Sequence, residues 1–447
     1  LANEALLFYT EHTTGYSESV REPYSQPTME QRALKESYAW EAVRRTSLLG
    51  ESAMGLLQSM FQREKEPSLA VFNTLSWTRS ALATVYIDHQ IVPRGMRAAI
   101  YDREGNRLAS QPLSSRSDGT YWAIWCSDIP AFGYKKYLIR PDQEERASSP
   151  PLSGEAVPSA PEGDNILENS RYRIVTDNIA GNIKSIYDKE LSKELVDGGA
   201  PHAMGEFILE QPGNRSQMEN KMLNDFSRFP LDTVWFDSIT EGEIWNSIRF
   251  YGESETAIGP RGYSFEIRLF NTCKRIDISC SITKKSITDP ESFYIAFPFA
   301  VENGMHFTEV AGGVIRTGTD QIPGSSNDWY TVQNFTAVRN DQMQIVMGSG
   351  EMPLMQFGAI NTGRYQAGAL PQTTHIYSWP MNNYWVTNFN ADQRGGHSWS
   401  YYLTSSADNS NSFATRFGWG ARVPLLTRII PGAGPGDERW GGTFIDG

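Results

Sequence analysis

The apolar residues of this chain recur with two different periods, and the switch between them falls at Pro67. Ahead of it, Leu34, Tyr38 and Ala42 return at helical spacing, and Leu49, Ala53, Leu56 and Met60 resume the rhythm after a polar stretch. Thr28, with Gln31 three residues on, has the form of a capping box. Pro23 and Pro27 bar helix just before it. The pattern predicts a helix from Thr28 to Glu66. Its roughly 36 residues would span on the order of 50 Å, and its apolar stripe needs partner helices. Leu1–Tyr9 reads as the end of another helix with no capping residue ahead of it. Residues 1–66 are therefore expected to form part of a helical bundle.

Beyond Pro67 the segments are short, β-rich and separated by turn residues, as in LAVFNTLSW, ALATVYID and TYWAIWCSDI. They predict a small β-sandwich over residues 67–141. Residues 142–163, rich in Pro, Ser, Glu and Ala, read as a linker or long loop. From residue 164 the strands return. Tyr172 and Ile174 face Ile183 and Ile186 across an Asn-Ile-Ala-Gly-Asn turn, and SFEIRLFN and RIDISCSIT alternate at period two. Residues 164–447 are expected to be one large antiparallel sandwich with no useful helical periodicity. The fold class is thus mostly β with an N-terminal helical bundle segment, and both chain ends read as cut.

Composition narrows the partners. The chain of 447 residues is 39% hydrophobic and 12% aromatic, which describes a globular protein. A formal net charge of −12 with no basic cluster argues against nucleic acid, and no apolar run approaches membrane-spanning length. Cys126, Cys273 and Cys280 lack metal-site spacing and are expected as buried thiols.

Candidate chemistry concentrates between His375 and Leu403. Trp379, Tyr384, Trp385 and Trp399 supply flat faces, and Asn382, Asn383, Asn388, Asp392 and Gln393 supply hydrogen-bonding edges. A pyranose presents an apolar C–H face and a rim of hydroxyls, which that pairing suits. The same residues also describe a β-domain core with Asn-rich turns. The loop IPGSSNDWY at 322–330 has the same character. Asp392, Asp328 and Glu309 fit turns as well as they fit a catalytic pair, so no nucleophile or general acid is assigned. His89, His202, His306, His375 and His397 are scattered without metal spacing.

Four stretches carry a resemblance. They are Glu11-His12-Thr13-Thr14-Gly15, Val71–Trp77 with Arg79, Glu168–Tyr172 through Gly181-Asn182-Ile183 to Asp188-Lys189, and Asn382–Gln393. In this order the chain resembles the part of glycoside hydrolase family 38 α-mannosidases that lies after their catalytic barrel. The resemblance implies a helical middle domain, then β-sandwiches, the large one similar to galactose mutarotase. It implies retaining hydrolysis of α-mannosides with one zinc, whose last His ligand corresponds to His12. The Asn382–Gln393 run would contribute Asn382, Asn383, Trp385, Asn388, Asp392 and Gln393 to substrate binding. Glu11 stands where the family commonly has His, and Thr13 where it commonly has Asp. The carboxylates and the other zinc ligands would belong to the missing barrel, so this chain alone is expected not to hydrolyse an α-mannoside oligosaccharide or glycan. The alternative is a non-catalytic carbohydrate-binding or structural β protein.

Overall fold

In the computed structural model, which describes residues 1–12, 15–142, 163–363 and 370–433, the chain is mostly β with helices at its start. Most of the expected linker, 143–162, lies outside the described residues. The helices are α1 (Ala2–Thr10), α2 (Gln26–Gln58), the single turn α3 (Ser216–Glu219) and α4 (Asn411–Arg422). The chain divides into two compact units. One comprises residues 1–42, 157–239 and 246–422, and the other 43–156, 240–245 and 423–447.

Helix α2 starts two residues before the capping box, because Pro27 falls in its first turn, where a missing N–H costs nothing. Ser25 accepts at the helix start from the Met29 N–H, and its hydroxyl lies 3.0 Å from that of Thr28. The helix also ends earlier than expected, at Gln58. Three residues on, the Phe61 ring is buried against Ala70 and Ile430, which requires the chain to leave the helix axis.

The smaller unit has a five-stranded sheet and a three-stranded sheet. Strand Arg79–Asp88 alternates buried and accessible positions throughout, and its inward Ala83, Val85 and Ile87 share a core with Val71, Ile100, Ile124 and Ile139. Asn73 and Arg79, two of the resembling residues, fasten its entrance. Asn73 donates to the carbonyls of Trp77 (2.8 Å) and Pro130 (3.0 Å) and accepts from Arg79 Nε (2.9 Å). Arg79 Nη1 donates to the Val423 carbonyl at 2.7 Å, and strand Leu426–Ile430 pairs antiparallel with Ser68–Phe72. The expectation that everything from 164 onward forms the large sandwich is therefore corrected. Strand Leu426–Ile430 completes the small sheet, and the tip 240–245 joins the same unit.

The larger unit packs a nine-stranded sheet on a six-stranded one, with a four-stranded hairpin sheet from 165–194. Its core takes Phe265, Ile278 and Tyr401 from the first and Phe207, Ile295 and Phe297 from the second. The Phe293–Trp399 rings lie 5.8 Å apart and the Phe297–Tyr401 rings 4.8 Å, so aromatic contacts run between the two sheets. Asn169, from the third resembling stretch, accepts from the Arg171 and Tyr172 N–H groups and ties the hairpin to the Phe270 carbonyl. Cys126 and Cys280 are buried and Cys273 half-buried; all three are free thiols. Helix α4, not expected from the sequence, buries Ala414 beside Phe335, Ala337 and Val346. No helix among the described residues is long and apolar enough to cross a membrane.

Candidate functional site

Strand His375–Asn382 is interior to the six-stranded sheet, and strand Gly395–Ser406 is interior to the nine-stranded one. The loop 383–394 therefore passes from one sheet to the other, and it carries most of the candidate residues. Asn383 is buried and fully used. Its Oδ1 accepts from the Glu291 N–H (2.7 Å), and its Nδ2 donates to the carbonyls of Asp289 and Ala391 (both 2.9 Å). Asp392 is buried too, and its carboxylate accepts from Arg394 Nε (2.6 Å) and Ser286 Oγ (3.2 Å). Both were expected to meet a substrate. Each is instead spent on holding the loop, since a ligand could gain their hydrogen bonds only by breaking buried ones.

Tyr384 is fully buried and donates to Glu210 Oε1 at 2.6 Å, while Glu210, its side chain also fully buried, pairs with Arg228 at 2.6 Å. Burial and the adjoining carboxylate push the Tyr384 phenol far above its ordinary pKa. Arg215 donates to the carbonyls of Asn383, Trp385 (3.1 Å) and Thr288 (2.5 Å).

Trp385, Asn388 and Gln393 remain half-buried, as does Asn382. The Trp385 ring stands 5.8 Å from Trp329 and 5.6 Å from Phe389, so the 322–330 loop meets the 383–394 loop in an aromatic row. Gln393 Nε2 donates to the Asn382 carbonyl at 3.0 Å, and the Asn382 Oδ1 is a buried acceptor without a partner. Asn388 adopts φ 62°, a left-handed conformation that Asn tolerates.

The segment following His12 is stitched to this loop. The Gly15 N–H donates to the Asn388 carbonyl at 2.9 Å, Ser19 Oγ to the Phe389 carbonyl at 2.8 Å, and Thr387 Oγ1 to the Ser17 carbonyl at 2.8 Å. A Cβ on Gly15 would lie 2.6 Å from the Asn388 carbonyl carbon, so only glycine allows this approach. Arg32 reaches in from α2 to Asn390 Oδ1 (3.1 Å) and the Asp392 carbonyl (3.0 Å), and Tyr24 bonds Ser286 at 2.8 Å. Gly15, three residues after His12, thus meets the Asn382–Gln393 run far along the chain, and His12 lies in the same unit as that run. Sequence reasoning missed Arg32, Arg215 and Glu210, because the partner that ties each of them to the loop lies more than 150 residues away and no local spacing signals it.

His12 itself is exposed, at φ 53°, with its Nδ1 against the Glu11 carboxylate. The His12 contact holds Glu11 below the ordinary carboxylate range. Among the described residues no three His, Cys, Asp or Glu side chains come together in a metal-binding group. Zinc needs three or four protein ligands, so the described residues offer one imidazole and do not by themselves fit the ion. The other histidines make local bonds, among them His202 to Glu206 (3.0 Å), His375 to Asp197 (2.8 Å) and His306 to the Thr373 carbonyl (2.9 Å). Glu309 accepts from the Asn334 N–H and from Trp419 Nε1, both at 2.8 Å, and Asp328 is buried on its loop.

These features define a class: a two-sheet antiparallel β-sandwich with a self-fastened aromatic loop at the end of an N-terminal arm. Residues 167–372 match the family model of the Glycosyl hydrolases family 38 C-terminal domain. Two solved structures resemble nearly the whole chain. An α-mannosidase from Enterococcus faecalis V583 is 12% identical, with 97% of this chain and 53% of its own covered at a TM-score of 0.59. A protein in the Glycosyl Hydrolase Family 38 from Enterococcus faecalis is 13% identical, with 96% and 54% covered at a TM-score of 0.57. The chain thus spans about half the length of each. A galactose mutarotase-like protein from Lactobacillus casei is matched over 55% of this chain at 11% identity, covering 100% of its own, with a TM-score of 0.31. No curated protein matches the chain.

Proposed function

We propose that this chain is the part of a retaining, zinc-dependent α-mannosidase-like glycoside hydrolase that follows its catalytic barrel. In this role it braces the barrel and shapes a glycan cleft without supplying the reacting carboxylates. The observation that carries the reading is the family 38 match within a fold that aligns end to end with about half of an α-mannosidase. A retaining glycosidase needs two carboxyl groups about 5–5.5 Å apart. Asp392 and Glu309 are each tied into local hydrogen bonds instead.

The helices support the same reading. Leu7, Trp40, Leu49 and Leu56 are each more than two-thirds exposed, apolar side chains of the kind that another part of a protein covers. His12, exposed at the end of α1, is the imidazole this chain would add to a metal held by a preceding barrel. Zinc bound there would act as template and Lewis acid for the sugar's vicinal hydroxyls. Trp385 and Asn388 are the loop residues left to meet a glycan, with the indole under the pyranose face and the amide at its rim.

The test is zinc content and p-nitrophenyl α-mannoside hydrolysis in a polypeptide carrying the barrel, with and without His12→Ala. Loss of both in the variant supports the reading. An inactive but fully metallated variant removes His12 from the metal's ligands.

A further inference from the structure

Arg215 stands between strand Phe207–Pro212 and the single helical turn Ser216–Glu219. Its base is firmly seated. Ser216 Oγ donates to Asn214 Oδ1 at 2.6 Å, and the Met218 N–H to the Arg215 carbonyl at 3.1 Å. The Met218 side chain is buried among Ile208, Tyr294, Trp379 and Tyr384, the cluster on which Trp385 also packs. From this base the guanidinium reaches two segments that cross between the sheets. Residues 285–291 join strand Ile276–Lys284 to strand Ser292–Pro298, and residues 383–394 are the candidate loop. Nη2 donates to the Thr288 carbonyl at 2.5 Å, and Nη1 to the carbonyls of Asn383 and Trp385, the latter at 3.1 Å. Those last two carbonyls flank Tyr384, whose hydroxyl is fixed on Glu210 at 2.6 Å. The backbone of 383–385 is thus wrapped around one nitrogen.

The chemistry of this grip is geometric. Burial pulls the Arg215 pKa down, and the nearby negative charge of Asp289 opposes that shift. Desolvating a cation is costly, and charge-assisted bonds to main-chain carbonyls offset the cost. A planar guanidinium holds several acceptors in one fixed arrangement, which a lysine ammonium on its flexible stem does not reproduce. With Asn383 and Tyr384 turned inward and the Trp385 carbonyl pinned, the direction of the Trp385 side chain is set. Trp329 at 5.8 Å and Phe389 at 5.6 Å then complete the seat of the indole.

We infer that Arg215 is the positioning residue for the Trp385 indole and through it sets how tightly a glycan is held, without touching the sugar itself. The inference rests on the glycan-cleft reading above for the role of Trp385, and its two experiments separate the two. In the 447-residue chain, hydroxyl-radical footprinting read by mass spectrometry follows oxidation of Trp385, with the buried Trp122 of the smaller unit as reference. Arg215→Lys keeps the charge without the planar fork, and should raise Trp385 labelling several-fold while Trp122 stays unchanged. Arg215→Ala should do the same, and added guanidinium ion should return its labelling towards wild type. In a polypeptide carrying the barrel, Arg215→Lys should raise KM for α-mannobiose about tenfold, with kcat within about twofold and zinc content unchanged. In a Trp385→Ala background it should add little further, because the indole it positions is gone. An arginine that only braces the fold would lower the melting temperature and the active fraction and leave KM alone. Raised Trp385 labelling with no hydrolysis by the unaltered polypeptide would keep the coupling of Arg215 to Trp385 and count against the α-mannosidase reading. Two outcomes overturn the inference: Trp385 labelling unchanged in both Arg215 variants, or a KM increase from Arg215→Lys that persists in full without the indole.

Discussion

The loop 383–394 and the helices α1 and α2 both carry aromatic and apolar residues beside polar ones, with opposite outcomes. In the loop, the buried polar side chains and several backbone carbonyls find their partners within the chain. Asn383, Asp392 and the backbone carbonyls of Asn383, Trp385, Asn388 and Phe389 all have partners, and Tyr384 is fully buried. On the helices it is the apolar groups that remain uncovered, Trp40 at 71% and Leu56 at 73% exposure. Aromatic and amide residues together suggested ligand binding in the loop, yet much of that set is scaffold. The unfinished surface is helical. Unsatisfied buried polar groups cost free energy, so a loop crossing between two sheets has to close its own hydrogen bonds. A helix can leave an apolar stripe open until something else covers it.

The contrast can be broken first at Glu210, where the expected effect is largest. Replacing it with Ala leaves Arg228 and the Tyr384 hydroxyl without their buried carboxylate. Denaturant unfolding should show a loss of about 3–5 kcal/mol, the usual result of removing one partner of a buried pair. A change under about 1 kcal/mol would mean the network does not fasten the loop.

The second test is pH. His306 is buried, and burial lowers its pKa to about 4 from its ordinary 6.5. The folded state then binds this proton less readily than the unfolded chain, so stability is full above about 6.5 and falls as pH drops towards about 4. The drop should be on the order of 3 kcal/mol, read as a falling melting temperature, and His306→Gln should flatten it across that window. An unchanged profile in the variant would assign the pH dependence elsewhere.

Gly15→Ala comes next. Its Cβ meets backbone rather than a flexible side chain, so the arm must move off Asn388. A cost of about 2 kcal/mol is expected, with faster amide exchange at residues 387–390. The smallest effect belongs to the helices. Trp40→Lys and Leu49→Lys should change this chain's stability by no more than about 0.5 kcal/mol. In a polypeptide that carries the barrel, the same changes should cost several-fold more.

The order of the architecture was legible from sequence because it is written in local periods, 3.6 before Pro67 and 2 after it. What escaped was set by distant contacts or by special backbone. The helix start was misplaced because Pro27 is harmless in a first turn. Helix α4 was overlooked because Gly418 and Gly420 weaken the helical signal. Gly418 is there because a Cβ would press on Phe335 and the Asn334 carbonyl, at 2.8 and 2.9 Å. Strand Leu426–Ile430 joins a sheet whose other members all end at or before Asp142, a pairing no local pattern announces. Of the candidate site residues, sequence could place Trp385 and Asn388 on a polar aromatic loop. It could not see that Asn383 and Asp392 have their partners within the fold.

Turnover by the purified chain is the most direct measurement of all: p-nitrophenyl α-mannoside hydrolysis by these 447 residues alone, with zinc supplied. The expected rate equals that of buffer with zinc, since the reacting carboxylates are assigned to another domain. Hydrolysis that co-purifies with the chain and scales with its concentration would contradict the scaffold role outright.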